Sequence, residues 1–397
     1  MVLKDRSRVV LIPCDTYEEE TVYEKIKAGI GLLGGIENLV TPEEKVLLKP
    51  NLVRKAELSR AVVTHPSVVG AVARLLKEAG VKNVSAGDSC GVGSALSTAA
   101  GAGMDSVLKK YGVPVVDFTG MGKVSYKEGV QAKAFFLSKE AAEADALINI
   151  CKMKTHALER VTGAVKNMYG CVYGLHKAKG HTQYPSADSF ARMLVDLNRL
   201  LAPRLYVMDG ITAMEGNGPT SGDPVSMNVL LVSRDPVAMD SIFCHLIDLR
   251  PDLVPTNYHG EKMGLGSWQE ENIELMLLED AGTDSSSTAA GRARAREITV
   301  KEAFERYGNG SFRVDRRRAK SDFWVRLGKL FNAFQKKPYI LQDKCVKCGV
   351  CVDSCPVDGK AVTFADGRKN PPVYDYKKCI RCFCCQEMCP HKAIQVK

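Results

Sequence analysis

The chain lacks any apolar run approaching the roughly 18–20 residues of a membrane-spanning helix. A helical membrane span is therefore not expected. It has no Gly-x4-Gly-Lys-Ser/Thr order, which excludes a Walker-type phosphate loop. No Gly-x-Gly-x-x-Gly follows the first strand-like segment, and Gly101-Ala102-Gly103 lacks the third glycine. That removes the fingerprint of nicotinamide dinucleotide binding. Met1–Cys14 carries only a short apolar run and no small-residue cleavage site, so the expectation is a cytoplasmic protein in a niche with little oxygen. An acidic excess is missing as well. Lys and Arg number 55 against 46 Asp and Glu, a formal charge of +9. The basic residues are mostly scattered, so nucleic acid is not the expected partner. An acidic protein or an anionic small molecule is.

What the chain does have is cysteine near its C-terminus. Cys345, Cys348, Cys351 and Cys355 precede Pro356, and Cys379, Cys382, Cys385 and Cys389 precede Pro390. Each member of the first run lies 34 residues from its counterpart in the second. This doubled C-x2-C-x2-C-x3-C-P run resembles the two-cluster bacterial ferredoxins. The resemblance covers about the last 60 residues. It implies two 4Fe–4S clusters with an exchanged fourth ligand: Cys345, Cys348, Cys351 and Cys389 on one, Cys379, Cys382, Cys385 and Cys355 on the other. With roughly −2 per cluster, the holo-protein keeps about +5. Zinc ribbons usually place two cysteines per unit, not four with a following proline. A disulfide framework would need an oxidising compartment. Binding of a single cluster stays open, because Phe383 stands where the first run has Gly349 and Cys384 adds a thiol beside Cys385. The five isolated cysteines (Cys14, Cys90, Cys151, Cys171, Cys244) read as buried structural thiols.

The first 250 residues alternate strand-like and helix-like segments. Strands are expected at 8–13, 45–48, 81–86, 113–116, 146–150, 204–208 and 229–232, and helices at 21–33, 66–79 and 236–249. This alternation predicts an α/β fold with a mainly parallel sheet and flanking helices, followed by a small C-terminal α+β ferredoxin-like unit. The division is 1–300 for the body, 301–337 for a basic amphipathic linker helix and 338–397 for the iron–sulfur unit. Residues 284–296 read as an exposed loop. The 313–337 segment, with its aromatic stripe from Phe323 to Phe334, reads first as a linker packed on the body and second as a surface for a membrane or a partner. The 23 residues between Cys355 and Cys379 read as a hairpin.

Polar residues gather just beyond the expected strands, where open α/β sheets bind ligands. Lys49 and Asn51 follow one strand, Asp88 and Ser89 another, Lys152, Lys154 and His156 a third, and Asp209 a fourth. Lys152, Lys154 and His156 alternate and share one face if the strand stays extended. Lys166 and Asn167 follow in a helical segment suited to a phosphate or carboxylate. Each residue alone can be an ordinary solvated strand end. Together they predict an anion-binding crevice, with Lys49, Lys152 and Lys166 holding the anion, His156 as the leading general acid and Lys154 next. Asp235 reads as a helix N-cap. The segment 209–219 reads as a lid, an acid/base site or a plain turn.

Taken together, Lys49-Pro50-Asn51, Thr64-His65-Pro66, Gly87-Asp88-Ser89, 152–156 with 162–167, 209–219 and 235–240 resemble the family called domain of unknown function 362. That resemblance spans about residues 45–265. It implies an iron–sulfur protein with an α/β body, and it carries no substrate. The first functional expectation is an oxidoreductase whose tail takes electrons from a small acidic carrier and passes them to an anionic substrate or an organic cofactor. A flavin is one such cofactor, though no residue pattern calls for it. Two other readings stand beside it: a non-catalytic electron carrier or assembly protein, and a non-redox enzyme with structural or sensing clusters.

Overall fold

A computed structural model describes residues 6–91, 93–174, 176–279, 294–317 and 336–397. The body strands are β1 (Ser7–Pro13), β2 (Lys45–Pro50), β3 (Asn83–Asp88), β4 (Val115–Asp117), β5 (Gly120–Ser125), β6 (Ala134–Ser138), β7 (Ala146–His156), β8 (Arg160–Thr162), β9 (Leu205–Glu215), β10 (Asp223–Ser233), β11 (Ile273–Glu279) and β12 (Arg294–Glu297). Among the described residues, ten of them form one sheet in the order β12-β11-β1-β10-β9-β7-β2-β3-β4, with β8 folded back on β7. β5 and β6 form a separate antiparallel hairpin.

The sheet is mostly parallel through its functional half: β7 pairs in parallel with β2 and β9, β2 with β3, and β3 with β4. The alternation of strands and helices dictates this, since parallel neighbours need helical crossovers. The antiparallel pairings are β10 with both β9 and β1, β12 with β11, and the short β8 with β7. β9 and β10 follow one another through a short turn, so no crossover intervenes. Both are 11 residues long, well beyond the segments expected from their apolar cores. The expected loop over 284–296 ends instead in β12, and its remainder lies outside the described residues. Most of the expected amphipathic helix also lies outside them. What is described of 301–337 contains the helix Val300–Tyr307.

Side chains alternate between the two sheet faces, as a period of two requires. Val10, Ile12, Val46, Leu48, Ile148, Ile150 and Val207 pack against the helices Glu19–Gly31 and Pro66–Glu78. On the other face, Val9, Leu11, Cys151, Met153, Tyr206 and Met208 meet the helix Pro236–Leu246. Leu47 and Leu147 meet the helix Ala187–Leu201, which starts at a Ser186/Ser189 capping box. Every residue of β7 is buried, so this strand is the centre of the molecule. Truncating a core residue such as Ile148 to Ala costs about 2–5 kcal/mol.

The tail is small. β13 (Pro338–Ile340) pairs with β16 (Ile394–Val396), and β14 (Val362–Thr363) with β15 (Val373–Tyr374) in the expected hairpin. Two short helices, Val350–Asp353 and Cys384–Met388, stand at equivalent places in the two cysteine runs.

Candidate functional site

The carboxyl ends of β2, β3, β7 and β9 bring the sequence-predicted residues together. Lys49 is fully buried and lies 2.9 Å from the Asp88 carboxylate on the neighbouring strand. Its ammonium also donates to the Pro50 carbonyl at 2.8 Å and to Asn167 Oδ1 at 3.3 Å. Asp88 Oδ2 accepts the Leu52 N–H at 2.7 Å. Gly170 permits this closeness, because a Cβ there would sit 1.9 Å from Asp88 Oδ1 and 2.6 Å from Lys49 Nζ. Asn51 donates to Asn167 Oδ1 at 3.0 Å, and its own Oδ1 accepts Lys154 Nζ at 2.9 Å. Lys154 donates again to the Val62 carbonyl at 2.8 Å. Burial beside Lys166 and Lys152 lowers its pKa to about 7. The Ser89 carbonyl accepts the half-buried Lys177 ammonium, whose pKa desolvation lowers to about 8.

A second group lies one strand over. Lys152 donates to Asp209 at 2.7 Å and to Tyr17 Oη at 2.9 Å. The Tyr17 hydroxyl donates to Asp209 Oδ1 at 2.9 Å, and the His65 N–H donates to Asp209 Oδ2 at 2.9 Å. His65 stacks on Tyr17 with ring centroids 3.7 Å apart. Lys49 and Lys152 are thus each neutralised by a buried carboxylate. Lys166 is half-buried and makes no hydrogen bond or ion pair among the described residues.

His156 does not stand open in a crevice. Its side chain is fully buried, and Nδ1 accepts the N–H groups of Leu158 at 3.2 Å and Glu159 at 3.1 Å. Nδ1 is therefore unprotonated and the proton of the neutral ring is on Nε2. Nε2 lies 2.8 Å from Glu387 Oε1 in the tail. The two atoms are close but off the line of a hydrogen bond, so both remain without a hydrogen-bond partner. Burial and the nearby Lys166 push the His156 pKa down to about 4. Glu387 is held low, at about 2: burial opposes its charge, and His156 and Lys166 outweigh that.

Glu387 had no signature beyond its place between Cys385 and Cys389. Tyr17, Glu159, His181 and Asp240 were also missed. Asp240 had one usable signal, since an Asp inside an apolar helix is buried only with partners. It accepts the Ala164 and Val165 N–H groups at 2.6 and 3.1 Å and so positions the turn bearing Lys166. Asp235 caps its helix through Val237 and Ala238.

The segment 209–219 docks the tail. Gln386 Nε2 donates to the Asn217 carbonyl and Oδ1, each at 2.9 Å, and to the Gly218 carbonyl at 3.1 Å. Asn217 donates to the Ile394 carbonyl at 2.9 Å. Thr220 donates to the Glu387 carbonyl, Ser221 to that of Cys389 and Lys392 to that of Gly222.

Within the tail, one cavity is lined by Cys345, Cys348, Cys351 and Cys389, with no other cysteine. These four thiols therefore face one hollow, the ligand set that the exchanged arrangement asks of one cluster. Four thiols around a hollow fit a cube. In the second run, Cys385 packs in one small cluster with Cys355, and Cys379 packs against the same cluster. Phe383 takes the left-handed conformation of Gly349, with φ 63° against 87°. The two loops therefore follow the same path despite the substitution. The Tyr374 hydroxyl lies 3.1 Å from Cys385 Sγ.

An α/β body with a cysteine-framed tail folded onto its strand ends defines an iron–sulfur protein. Residues 46–245 match the domain of unknown function DUF362, and residues 337–390 match a 4Fe-4S dicluster domain. The chain belongs to the DUF362 family. It is 39% identical over 258 residues to the thylakoid-associated protein sll1697 of Synechocystis, covering 65% of this chain and 79% of that one. Among solved structures, the lactate racemase apoprotein of Thermoanaerobacterium thermosaccharolyticum aligns with a TM-score of 0.40 and 12% identity, over 60% of this chain and 58% of that one. A Thermotoga maritima protein aligns with a TM-score of 0.34 and 11% identity, over 57% of each chain. This chain thus spans less than two thirds of either solved structure. Among the described residues, no helix is long and apolar enough to cross a membrane.

Proposed function

We propose that the protein is an iron–sulfur oxidoreductase whose tail passes electrons to an anionic substrate, or to an organic cofactor, held at the strand ends of the body. Bound clusters, two in this reading, supply one-electron transfer. The observation that carries the proposal is the contact between Glu387, inside the second cysteine run, and His156 at the end of β7. A free-standing carrier has no need to bury one cysteine run against a lysine-rich strand end.

The two runs differ in exposure. Cys348 is exposed and Val346 beside it is 58% exposed, flanked by Lys344 and Lys347. Cys382, the counterpart of Cys348 in the second run, is buried. Electrons enter at the first run from a small acidic carrier protein and leave through the second. In the body, Lys154 is the better proton donor near neutral pH, because its pKa lies near 7 while that of His156 lies near 4. His156 serves as a neutral hydrogen-bond donor.

Protein purified without oxygen should hold about eight irons, as two cubes require. Metabolites released from it can be identified by mass spectrometry and offered to the reduced protein. Reoxidation by one of them supports the enzyme reading. Reoxidation only by carrier proteins would leave an electron carrier in its place.

A further inference from the structure

We infer that the body carries a second ligand site, for a compact, multiply charged oxyanion gripped by Arg234, in a cavity at the end of the sheet away from the crevice. It stands apart from the redox reading.

The cavity measures about 580 Å³ and lies where β1 and β11 begin and β10 ends. β1 runs parallel to β11 and antiparallel to β10, which is itself antiparallel to β9. The amino end of β1 is therefore at the opposite end of the sheet from the carboxyl ends of β2, β3, β7 and β9. Arg6, Ser7 and Arg8 line the cavity from the start of β1, Arg234 and Asp235 from the turn after β10, and Glu274 from β11. Among the described residues Leu33 is the one apolar residue of its wall. Volumes of roughly 300–1,000 Å³ suit small-molecule ligands. A wall this polar suits a ligand that is polar throughout.

The arginines stand close together. β1 and β10 pair through Val9 and Ser233, and the next step of that register sets Arg8 opposite Arg234. The Ser233 hydroxyl donates to the Arg8 carbonyl at 2.8 Å and fixes this end of the pair. Arg6 lies two residues before Arg8, on the same side of the strand. Like charges facing one another across two strands are destabilising. An anion held between them removes that cost.

The three arginines are matched in number by three carboxylates, Asp235, Glu274 and Glu297, so the bonds have to be followed group by group. Arg6 donates through both terminal nitrogens to Glu297, at 2.6 and 3.1 Å. Arg8 donates to Glu274 at 2.7 Å and to the Leu32 carbonyl at 2.7 Å. Asp235 accepts from neutral donors: the Ser7 hydroxyl at 2.6 Å and the N–H groups of Val237, Ala238 and Ser267 at 2.8, 2.9 and 3.1 Å. Its two oxygens are fully engaged. Arg234 is exposed and makes no hydrogen bond or ion pair among the described residues. The groups left uncommitted are the whole Arg234 guanidinium, one nitrogen each on Arg6 and Arg8, and one oxygen of Glu274. Donors exceed acceptors, so the complement is a group that only accepts. Ionised phosphoryl and carboxyl groups are of this kind, and the planar fork of an arginine meets either with two parallel bonds.

The test uses intact holo-protein prepared without oxygen and titrated calorimetrically at fixed ionic strength, with inorganic pyrophosphate in one arm and tricarballylate in the other. One saturable site for at least one of them is expected, and the tighter arm tells phosphoryl from carboxyl. Arg234→Ala and Arg234→Met should each weaken it about fivefold or more, the scale of a lost charge-assisted hydrogen bond. Neither substitution breaks a bond of the free protein, so melting temperature and iron content should equal the parent's. Lys301→Ala, on the exposed helix Val300–Tyr307, should leave binding unchanged. The bound anion should also slow amide hydrogen exchange around Arg8 and Glu274 and not in Cys384–Met388. No saturable binding of either probe, or a smaller loss in either Arg234 variant, overturns the inference. Protection at Cys384–Met388 in place of Arg8 and Glu274 would put the anion in the crevice and overturn it as well. Binding is read without electron flow, so the failure of this site leaves the redox reading untouched.

Discussion

Lys49 and Lys154 end on neighbouring strands and are both buried, yet they face different surroundings. Lys49 has a carboxylate at 2.9 Å, and Lys154 has only an amide oxygen and a carbonyl. Lys49→Ala removes one half of a buried pair and strands Asp88. The expected loss of stability is about 3–5 kcal/mol, read by chemical denaturation of the holo-protein. Lys154 gives a pH signature instead. Folding lowers its pKa from 10.5 to about 7, so the unfolded chain binds more protons between those values. Stability therefore rises with pH across that window, and the penalty for burying the ammonium is fullest below it. Melting temperatures measured from pH 7 to 10.5 should show a rise that Lys154→Met flattens. The lysines themselves were legible in the sequence, because they stand just after strands. Which of them is already neutralised was not, since Asp88 and Asp209 read equally well as ligand groups.

At the level of elements, β7 shows how far periodicity reaches. Alternation placed Lys152, Lys154 and His156 on one face, and the strand does stay extended to His156. Their partners, however, come from three places: β9, the segment after β2, and the tail. The register with β9 also shifts between Lys152 and Lys154. No local pattern announces a contact between residues 156 and 387. The tail was more legible, because the repeat spacing of 34 residues reflects two loops of one shape. Lys347 and Arg381 share a positive φ of 58°, as Gly349 and Phe383 share theirs. Phe383 adopts this conformation at a cost of about 1–2 kcal/mol, offset by its burial. The loops differ in the Tyr374 hydroxyl on Cys385. That donor favours the more negative, reduced state. Tyr374→Phe should lower the potential of the second cluster by roughly 20–60 mV, the scale of about 1 kcal/mol for one electron. Redox titration followed by electron paramagnetic resonance checks this.

At the scale of the whole molecule, among the described residues the body has three apolar cores of its own and the tail has one small cluster, half of whose buried members are cysteines. A unit this small depends on its metal. Removing iron with a chelator under reducing conditions should leave the body's melting transition in place while proteases cleave the chain within 336–397. Simultaneous loss of both would show that body and tail fold as one unit. The fold class was readable because alternating strands and helices leave few topologies open. The antiparallel β9–β10 pair was not, because strand direction depends on the length of a connection that composition does not mark.

The hydrogen bonds across the seam have one further consequence. Thr220, Ser221 and Asn217 of the body, together with Arg54, donate to main-chain carbonyls of Glu387, Cys389, Ile394 and Met388. Four body donors thus read the course of the tail's backbone and not the identity of its side chains. That course is shaped by the cysteines on either side. The body is therefore matched to a correctly metallated tail as a key is to a cut, and a chain that acquired the wrong metal, or none, would present the right residues in the wrong relief.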